Sequence, residues 1–284
     1  MSDTPLPALT RTTLRTLQQR TRDGEPFAML TCYDATMARW LSRAGVDCML
    51  VGDTAAQMVL GHDTTLPATM ELMVTLTLAV RRGAPMSCLM GDLPFGSFQG
   101  SADTAVENAA RLVAGGTADL VKLECDATYA PLIDRMTRAG IPTVAHLGAK
   151  PQSVRVTGGF KSTGKTASEA DAIAAAAADL AVAGAAAVLL EAVPDGVSQR
   201  VRAAVRRAVP GRVIPVIGCG AGPSCDGHVI VLNDLLGLTD WQPPFAPPMA
   251  DLGEQVRRTA ERWAADVREG RYLADGGPYH ATDG

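Results

Sequence analysis

Five ionisable side chains recur at equivalent places along the chain: Asp53, Asp92, Glu124, His146 and Glu191. Each follows the same phrase, a helix-ending Ala, Arg or Gly and then glycine, a few residues and a short apolar run. The pairs are Ala44-Gly45, Arg82-Gly83, Gly115-Gly116, Ala139-Gly140 and Ala183-Gly184. Glycine just past a helix stops it, and a run of about four to eight Val, Leu or Met residues reads as a strand buried on both faces. Each ionisable group is therefore predicted at the C-terminal end of a strand. In a parallel α/β protein those ends open onto one face, where such folds place their chemistry.

Asp53, Asp92 and Glu124 end three successive predicted strands and should point at neighbouring places. Three carboxylates so close repel one another and drive at least one pKa upward unless a cation sits among them. Oxygen ligation selects a hard ion, Mg²⁺ first and Mn²⁺ second, so the three acids are expected metal ligands. A strand-terminal acid can instead cap the helix that follows it. Lys122, two residues before Glu124, shares its face; it could balance the acids and hold a substrate carboxylate, or form a structural ion pair. His146 reads as a hydrogen-bonding partner of substrate or ligand, with a satisfied core histidine as the other possibility. Glu191 follows an apolar run that should raise its pKa and suit a general base, acting from across the site; a cap or a buried ion pair is the alternative. Gly218, Gly220 and Gly222 read as a tight turn more than a phosphate cradle. A divalent ion chelated by an α-keto acid would acidify the neighbouring C–H and stabilise the enolate, and a facing base could take the proton.

Eight strands are predicted to carry these groups, over residues 28–33, 48–52, 87–91, 119–124, 142–147, 186–192, 213–218 and 228–232. Helices are predicted over 34–44, 70–82, 103–115, 129–139, 167–183 and 197–208. Strands alternating with helices imply right-handed crossovers and a parallel sheet, and eight of them suggest a closed (β/α)₈ TIM barrel. Residues 219–227 leave room for one turn at most, so an open doubly wound sheet is the alternative. The connections 54–69, with His62 and Asp63, and 148–166, with Gly158, Gly159, Lys161, Gly164 and Lys165, are long enough to be lids or binding loops. The chain divides into an N-terminal capping segment (1–25), the barrel (26–240), and a Pro-rich linker, C-terminal helix and tail (241–284). Leu9, Leu14 and Leu17 suit an amphipathic first helix. Leu252, Val256, Ala260, Trp263 and Val267 mark an apolar face on the last one, which should pack on the barrel exterior or a neighbouring subunit.

The chain of 284 residues suits one barrel of about 250 residues with appendages. Hydrophobic residues make up 47% of it and aromatic ones 4%, so Ala, Val, Leu and Met must build the core. A net charge of −4 without a sustained basic run argues against nucleic acid and for small-molecule substrates. None of the six cysteines forms a Cys-x-x-Cys pair, which suggests the reducing cytoplasm, and the Ala-rich stretch 172–190 is broken by Asp179 and Gly184, so no membrane partner is expected.

Several motifs, in order, resemble the ketopantoate hydroxymethyltransferase family over about residues 26–270. They are Thr31-Cys32-Tyr33-Asp34, Val51-Gly52-Asp53, Gly61-His62-Asp63-Thr64-Thr65-Leu66-Pro67, Arg81-Arg82-Gly83-Ala84-Pro85 and Asp92-Leu93-Pro94-Phe95. Val121-Lys122-Leu123-Glu124, His146-Leu147-Gly148, Pro151-Gln152-Ser153, Gly158-Gly159-Phe160-Lys161 and Ile214-Pro215-Val216-Ile217-Gly218 complete the set. The resemblance implies a Mg²⁺-dependent barrel of the phosphoenolpyruvate/pyruvate-like kind. It would move a hydroxymethyl group from 5,10-methylenetetrahydrofolate to 3-methyl-2-oxobutanoate, giving 2-dehydropantoate for pantothenate synthesis. It also implies a homo-oligomer, a decamer in the family's pattern. Metal ligation then falls on Asp53, Asp92 and Glu124, the base on Glu191, and substrate contacts on Asp53, Thr54, Asp92, Lys122 and His146, while folate-binding residues stay unassigned. Thr54 replaces the family's usual serine, Cys125-Asp126 replace small residues, Phe160 a tyrosine and Ala145 a glycine. A paralogue or metal-enolate lyase or decarboxylase acting on another 2-oxo acid, or a non-catalytic barrel with a binding role, are the alternatives. Such lyases normally carry a lid cysteine, and 148–166 has none.

Overall fold

In the computed structural model, which describes residues 10–279, eight parallel strands close into a barrel in chain order. They are β1 Phe27–Thr31, β2 Cys48–Val51, β3 Cys88–Asp92, β4 Leu120–Glu124, β5 Thr143–Gly148, β6 Ala187–Glu191, β7 Val216–Cys219 and β8 Gly227–Ile230. The helices are α1 Leu14–Asp23, α2 Ala35–Arg43, α3 Ala55–Met58, α4 Met70–Gly83, α5 Ala102–Ala114, α6 Ala130–Arg138, α7 Val154–Thr157, α8 Ala167–Ala183, α9 Asp195–Ala208, α10 Leu232–Leu235 and α11 Leu252–Arg268. β8 pairs with β1, so the open sheet is excluded. The β7–β8 connection contains no helix and still closes the barrel, because Asp226 receives the Val216 N–H at 2.8 Å and locks the two strands together.

Local chemistry sets the helix starts. Asp34 accepts the N–H groups of Thr36 and Met37 at α2, Ser101 that of Thr104 at α5, and Thr166 forms a capping box with Glu169 at α8. The long connections are less open than their length suggests. One carries α3, and the other carries a 3₁₀ turn, Pro151–Ser153, running into α7.

Alternate residues of each strand face the barrel axis, and their order explains where the chemistry sits. Phe27, Met29, Cys48, Leu50, Cys88, Met90, Leu120, Val144, Ala187, Leu189, Ile217 and Val229 form one apolar cluster, and Leu17 of α1 packs into it. Two residues further along β3, β4, β5 and β6 the same rows continue as Asp92, Lys122, His146 and Glu191. Leu14 also packs on this cluster, whereas Leu9 lies outside the described residues.

At the opposite end three aspartates repeat one device. Asp47, Asp119 and Asp226 each stand just before a strand and accept a backbone N–H from the preceding one, from Ala28, Leu89 and Val216. Each also pairs with a helix arginine, Arg20, Arg81 and Arg202 respectively.

A smaller unit begins at Leu232. Its helix α11 has no buried residue: Val256, Trp263 and Val267 are exposed, and Trp263 meets Tyr272 edge-on. None of the six cysteines is in a disulfide. Among the described residues no helix is long and apolar enough to cross a membrane.

Candidate active site

The ionisable strand-end residues line one mouth of the barrel. Asp92, Lys122, His146 and Glu191 form a continuous row over β3 to β6. Lys122 Nζ is 2.7 Å from Asp92 Oδ2 and 3.4 Å from His146 Nδ1, and His146 Nε2 is 3.2 Å from Glu191 Oε2. Asp92, Lys122 and His146 are buried, while the Glu191 side chain keeps 17% of its surface exposed. Glu191 is thus the member of the row most open to solvent.

Asp53, two residues past β2, joins from the side. Its N–H donates to Asp92 Oδ2 at 3.2 Å, and its own Oδ2 accepts from the Gln152 side-chain amide at 2.9 Å. Glu124 accepts the Gln152 backbone N–H on both oxygens, each at 3.1 Å. None of the three acids caps a helix. Ser101 caps α5, Asp126 caps the turn that leads into α6, and α3 begins at Thr54 without a side-chain cap. The capping alternative therefore fails for all three. The Thr54 hydroxyl bonds the Tyr33 hydroxyl at 2.6 Å, which ties the start of α3 to the end of β1.

Burial pushes the Asp92 carboxyl up to about 7, against the pull of Lys122 and with the help of Asp53. Burial likewise raises Glu124 to about 9, again opposed by Lys122. For Lys122 burial alone would favour the neutral amine, but Asp92, Asp53 and Glu124 outweigh it and hold the ammonium above its ordinary range. His146 is pushed down by burial and by the nearby Lys122 ammonium, so its ring is neutral. A neutral ring with a Lys122 ammonium at Nδ1 must accept there, which leaves the proton on Nε2, the nitrogen on the Glu191 side, close to that carboxylate but outside hydrogen-bonding geometry.

Among the described residues no three His, Cys, Asp or Glu side chains converge into a ready-made metal cage. The acids nonetheless fit a hard cation in the sparse manner of Mg²⁺, which uses one or two carboxylates and otherwise water and substrate. Asp92 Oδ1 is buried without a hydrogen-bond partner, the condition a cation would relieve.

The structure brings Asp53, Asp92, Lys122, Glu124, His146 and Glu191 together, with Thr54 on the adjoining β1–β2 side. Three further residues belong with them. Gln152 bridges Asp53 and Glu124, Gln99 Nε2 donates to Gln152 Oε1 at 3.1 Å, and Tyr33 holds Thr54. Pro151-Gln152-Ser153 is visible as a motif, but an uncharged amide gives no signal of what it will bond. His62, Asp63, Lys161 and Lys165 are exposed on their connections. Of the departures from the family pattern, Ala145 is buried next to the inward His146, Cys125 is buried with its thiol on the His146 carbonyl, and Asp126 caps a turn while pairing with Lys150. Phe160 is half-exposed on the long connection after β5.

The end of β6 is shaped by two unusual backbones. Ala192 has φ +49°, the left-handed region that non-glycine residues seldom occupy, directly after Glu191. Gly148 has φ +96°, and a Cβ there would lie 2.3 Å from the Glu191 carbonyl oxygen. Only glycine lets β5 approach the Glu191 backbone so closely.

The family model described as ketopantoate hydroxymethyltransferase matches residues 11–275. The 3-methyl-2-oxobutanoate hydroxymethyltransferase of Anaeromyxobacter sp. (strain Fw109-5) is 40% identical over 277 residues, covering 96% of this chain and 88% of the relative. The protein of the same name from Moorella thermoacetica is 42% identical over 263 residues, covering 92% and 95%. Among solved structures, phosphoenolpyruvate phosphomutase from Streptomyces platensis subsp. rosaceus superposes with a TM-score of 0.60 at 14% identity, over 94% of this chain and 92% of that one. A 2,3-dimethylmalate lyase of the PEP mutase/isocitrate lyase superfamily gives 0.58 at 18%, covering 91% and 89%. At such identities these two likenesses bear on the fold alone, and they agree with the closed barrel.

Proposed function

The chain belongs to the ketopantoate hydroxymethyltransferase family, and from that premise we propose that it transfers a hydroxymethyl group from 5,10-methylenetetrahydrofolate to 3-methyl-2-oxobutanoate. The observation that carries this reading is the row Asp92–Lys122–His146–Glu191, which places one fixed cation and one accessible carboxylate at a buried mouth.

Asp53 and Asp92 are the residues to hold Mg²⁺, with Mn²⁺ a substitute, and Glu124 closes the set. The ion would supply Lewis-acid polarisation of the keto acid, whose C3–H becomes acidic as a result. The Lys122 ammonium, buried and held by Asp92 and His146, is the fixed positive charge nearest the substrate's carboxylate or developing oxyanion in this reading. The Thr54 hydroxyl, fixed by Tyr33, offers a further donor. Glu191 takes the C3 proton. The His146 ring beside it, with Nε2 3.2 Å from Glu191 Oε2, limits where the carboxylate can turn.

Over the whole reaction C3 bonds the one-carbon unit and both C–N bonds to that carbon break. Water supplies the hydroxyl, and the C3 proton and the remaining water proton end on the two folate nitrogens. The long connection after β5, with the Phe160 ring exposed on it, is the element placed to cover the pterin. A homo-oligomer of the family's decameric kind and a cytoplasmic location belong to the same reading; the exposed apolar face of α11 supports the first.

The test is product formation. With Mg²⁺, 3-methyl-2-oxobutanoate and methylenetetrahydrofolate the protein should form 2-dehydropantoate. Exchange of the C3 hydrogen without product at saturating folate would favour a folate-independent enzyme acting on another 2-oxo acid.

A further inference from the structure

Gln152 lies in the connection after β5, far in sequence from the acids, yet it is 5% exposed and every polar group it carries toward them is engaged. Its side-chain amide donates to Asp53 Oδ2 and to the Leu93 carbonyl, both at 2.9 Å, which uses both N–H groups. Its carbonyl oxygen accepts from Gln99 Nε2, and Gln99 is itself fixed because its own Oε1 accepts the Gly96 N–H at 2.8 Å. Its backbone N–H is shared between the two oxygens of Glu124. The Gln99 bond also fixes which way the Gln152 amide points, so that nitrogen and not oxygen faces Asp53.

This arrangement divides the oxygens of the acid pair. Asp53 Oδ2 is taken by Gln152, and Asp92 Oδ2 by Lys122 and the Asp53 N–H. Among the described residues Asp92 Oδ1 has no hydrogen-bond partner, and Asp53 Oδ1 takes no part in these bonds. Two single-oxygen ligands leave most positions of an octahedral ion for water and substrate. A Gln152 carboxamide turned over, or absent, would free Asp53 to swing or to bind through both oxygens.

We infer that Gln152 is a positioning residue that couples the seating of the β5–α8 connection to the ligating pose of Asp53. When the 3₁₀ turn Pro151–Ser153 is docked, Asp53 is held with one oxygen outward and Glu124 is held beside it. When the turn lifts, both restraints leave together. The ligand half of this inference rests on Asp53 and Asp92 being cation ligands; the coupling half does not. Outer partners of this kind commonly change metal affinity by about 10–100-fold.

The experiment uses the full-length protein and Gln152→Met, which keeps the side chain's length and removes both donors and the acceptor. Mn²⁺ binding is followed by calorimetry and by the paramagnetic resonance of free Mn²⁺. Docking of the connection is followed by tryptic cleavage at the exposed Arg155, Lys161 and Lys165. Gln152→Met is expected to weaken Mn²⁺ binding by about tenfold or more and to speed cleavage in the connection by about tenfold or more, the effect of losing its three side-chain hydrogen bonds. Gln99→Leu touches neither acid and should move both readouts in the same direction by a smaller factor; it decides the matter if Gln152→Met does not fold. Wild-type Mn²⁺ affinity together with wild-type cleavage in a folded variant would overturn the inference. If the wild-type protein binds no Mn²⁺ the ligand assignment fails, and the cleavage comparison still decides the coupling.

Discussion

His146 Nε2 stands 3.2 Å from Glu191 Oε2, across the gap between β5 and β6. With Lys122 on the other ring nitrogen, the neutral ring carries its proton on Nε2, the nitrogen on the Glu191 side. The expected outcome is a neutral Nε2–H tautomer for His146 at pH 7, visible in long-range ¹⁵N NMR correlations. His146→Phe should keep the fold and lower C3 proton exchange by about 10²-fold, the lower range for assistance to a general base. An imidazolium signature at pH 7 would remove this arrangement.

Lys122 neutralises an acid that has almost no water to turn to. Lys122→Met removes one partner of a buried pair, which costs about 3–5 kcal/mol when the other charge remains. The loss should depend on pH. Asp92 has a carboxyl raised to about 7 even with Lys122 present, so below that value it protonates and needs no cation. Urea unfolding should therefore show Lys122→Met losing about 1 kcal/mol more near pH 8 than near pH 5, since each pH unit above 7 costs about 1.4 kcal/mol to keep Asp92 protonated in the variant. Equal losses at both values would contradict it.

A raised carboxyl also competes with metal. In the metal-free protein Asp92, at about 7, is held partly protonated at neutral pH, and Glu124, at about 9, almost wholly so. For an acid whose folded pKa lies above its unfolded one, folding is penalised as pH rises from the unfolded pKa to the folded one. Mg²⁺ removes that penalty by replacing the proton. The thermal shift given by Mg²⁺ should grow from about pH 6 to pH 9, and calorimetry in buffers of different ionisation enthalpy should show proton release on binding.

The close passage of Gly148 by Glu191 invites a steric test. Gly148→Ala puts a Cβ where the Glu191 carbonyl stands and forces a left-handed backbone on alanine. It should lower stability by about 1–3 kcal/mol and move the end of β6, with activity falling more than stability accounts for. Gly196→Ala is the control. Its Cβ meets nothing within 4 Å in α9, so a gain of about 0.5–1 kcal/mol is expected with activity unchanged.

Much of this was legible in the sequence because the barrel repeats one local rule. Gly45, Gly140 and Gly184 follow helices and take positive φ, and each begins the approach to a strand ending near an acid or His146. Lys122 and Glu124 could be put on one face from their spacing alone. The last strands were less legible: Pro215 delays β7 until Val216, and the Asp226 bond that closes β7 on β8 has no local signature. The short α3 and α7 were also invisible, since four residues carry too little periodicity. Gln152 was missed for a different reason. Its partners Asp53 and Glu124 are 99 and 28 residues away, and only the closed barrel makes them neighbours. An amide has no charge or metal preference by which spacing could have exposed it.

The most direct measurement is hydrogen–deuterium exchange at C3 of 3-methyl-2-oxobutanoate, with Mg²⁺ present, comparing the wild-type protein with Glu191→Gln. The wild-type protein should exchange C3 hydrogen and, with methylenetetrahydrofolate, form 2-dehydropantoate. Glu191→Gln should lose both by about 10²-fold or more while binding Mg²⁺ and keto acid nearly as before, because the base acts only in the transition state. Exchange at near-wild-type rate in Glu191→Gln would take the base role from Glu191 and with it the chemistry assigned to the row from Asp92 to Glu191.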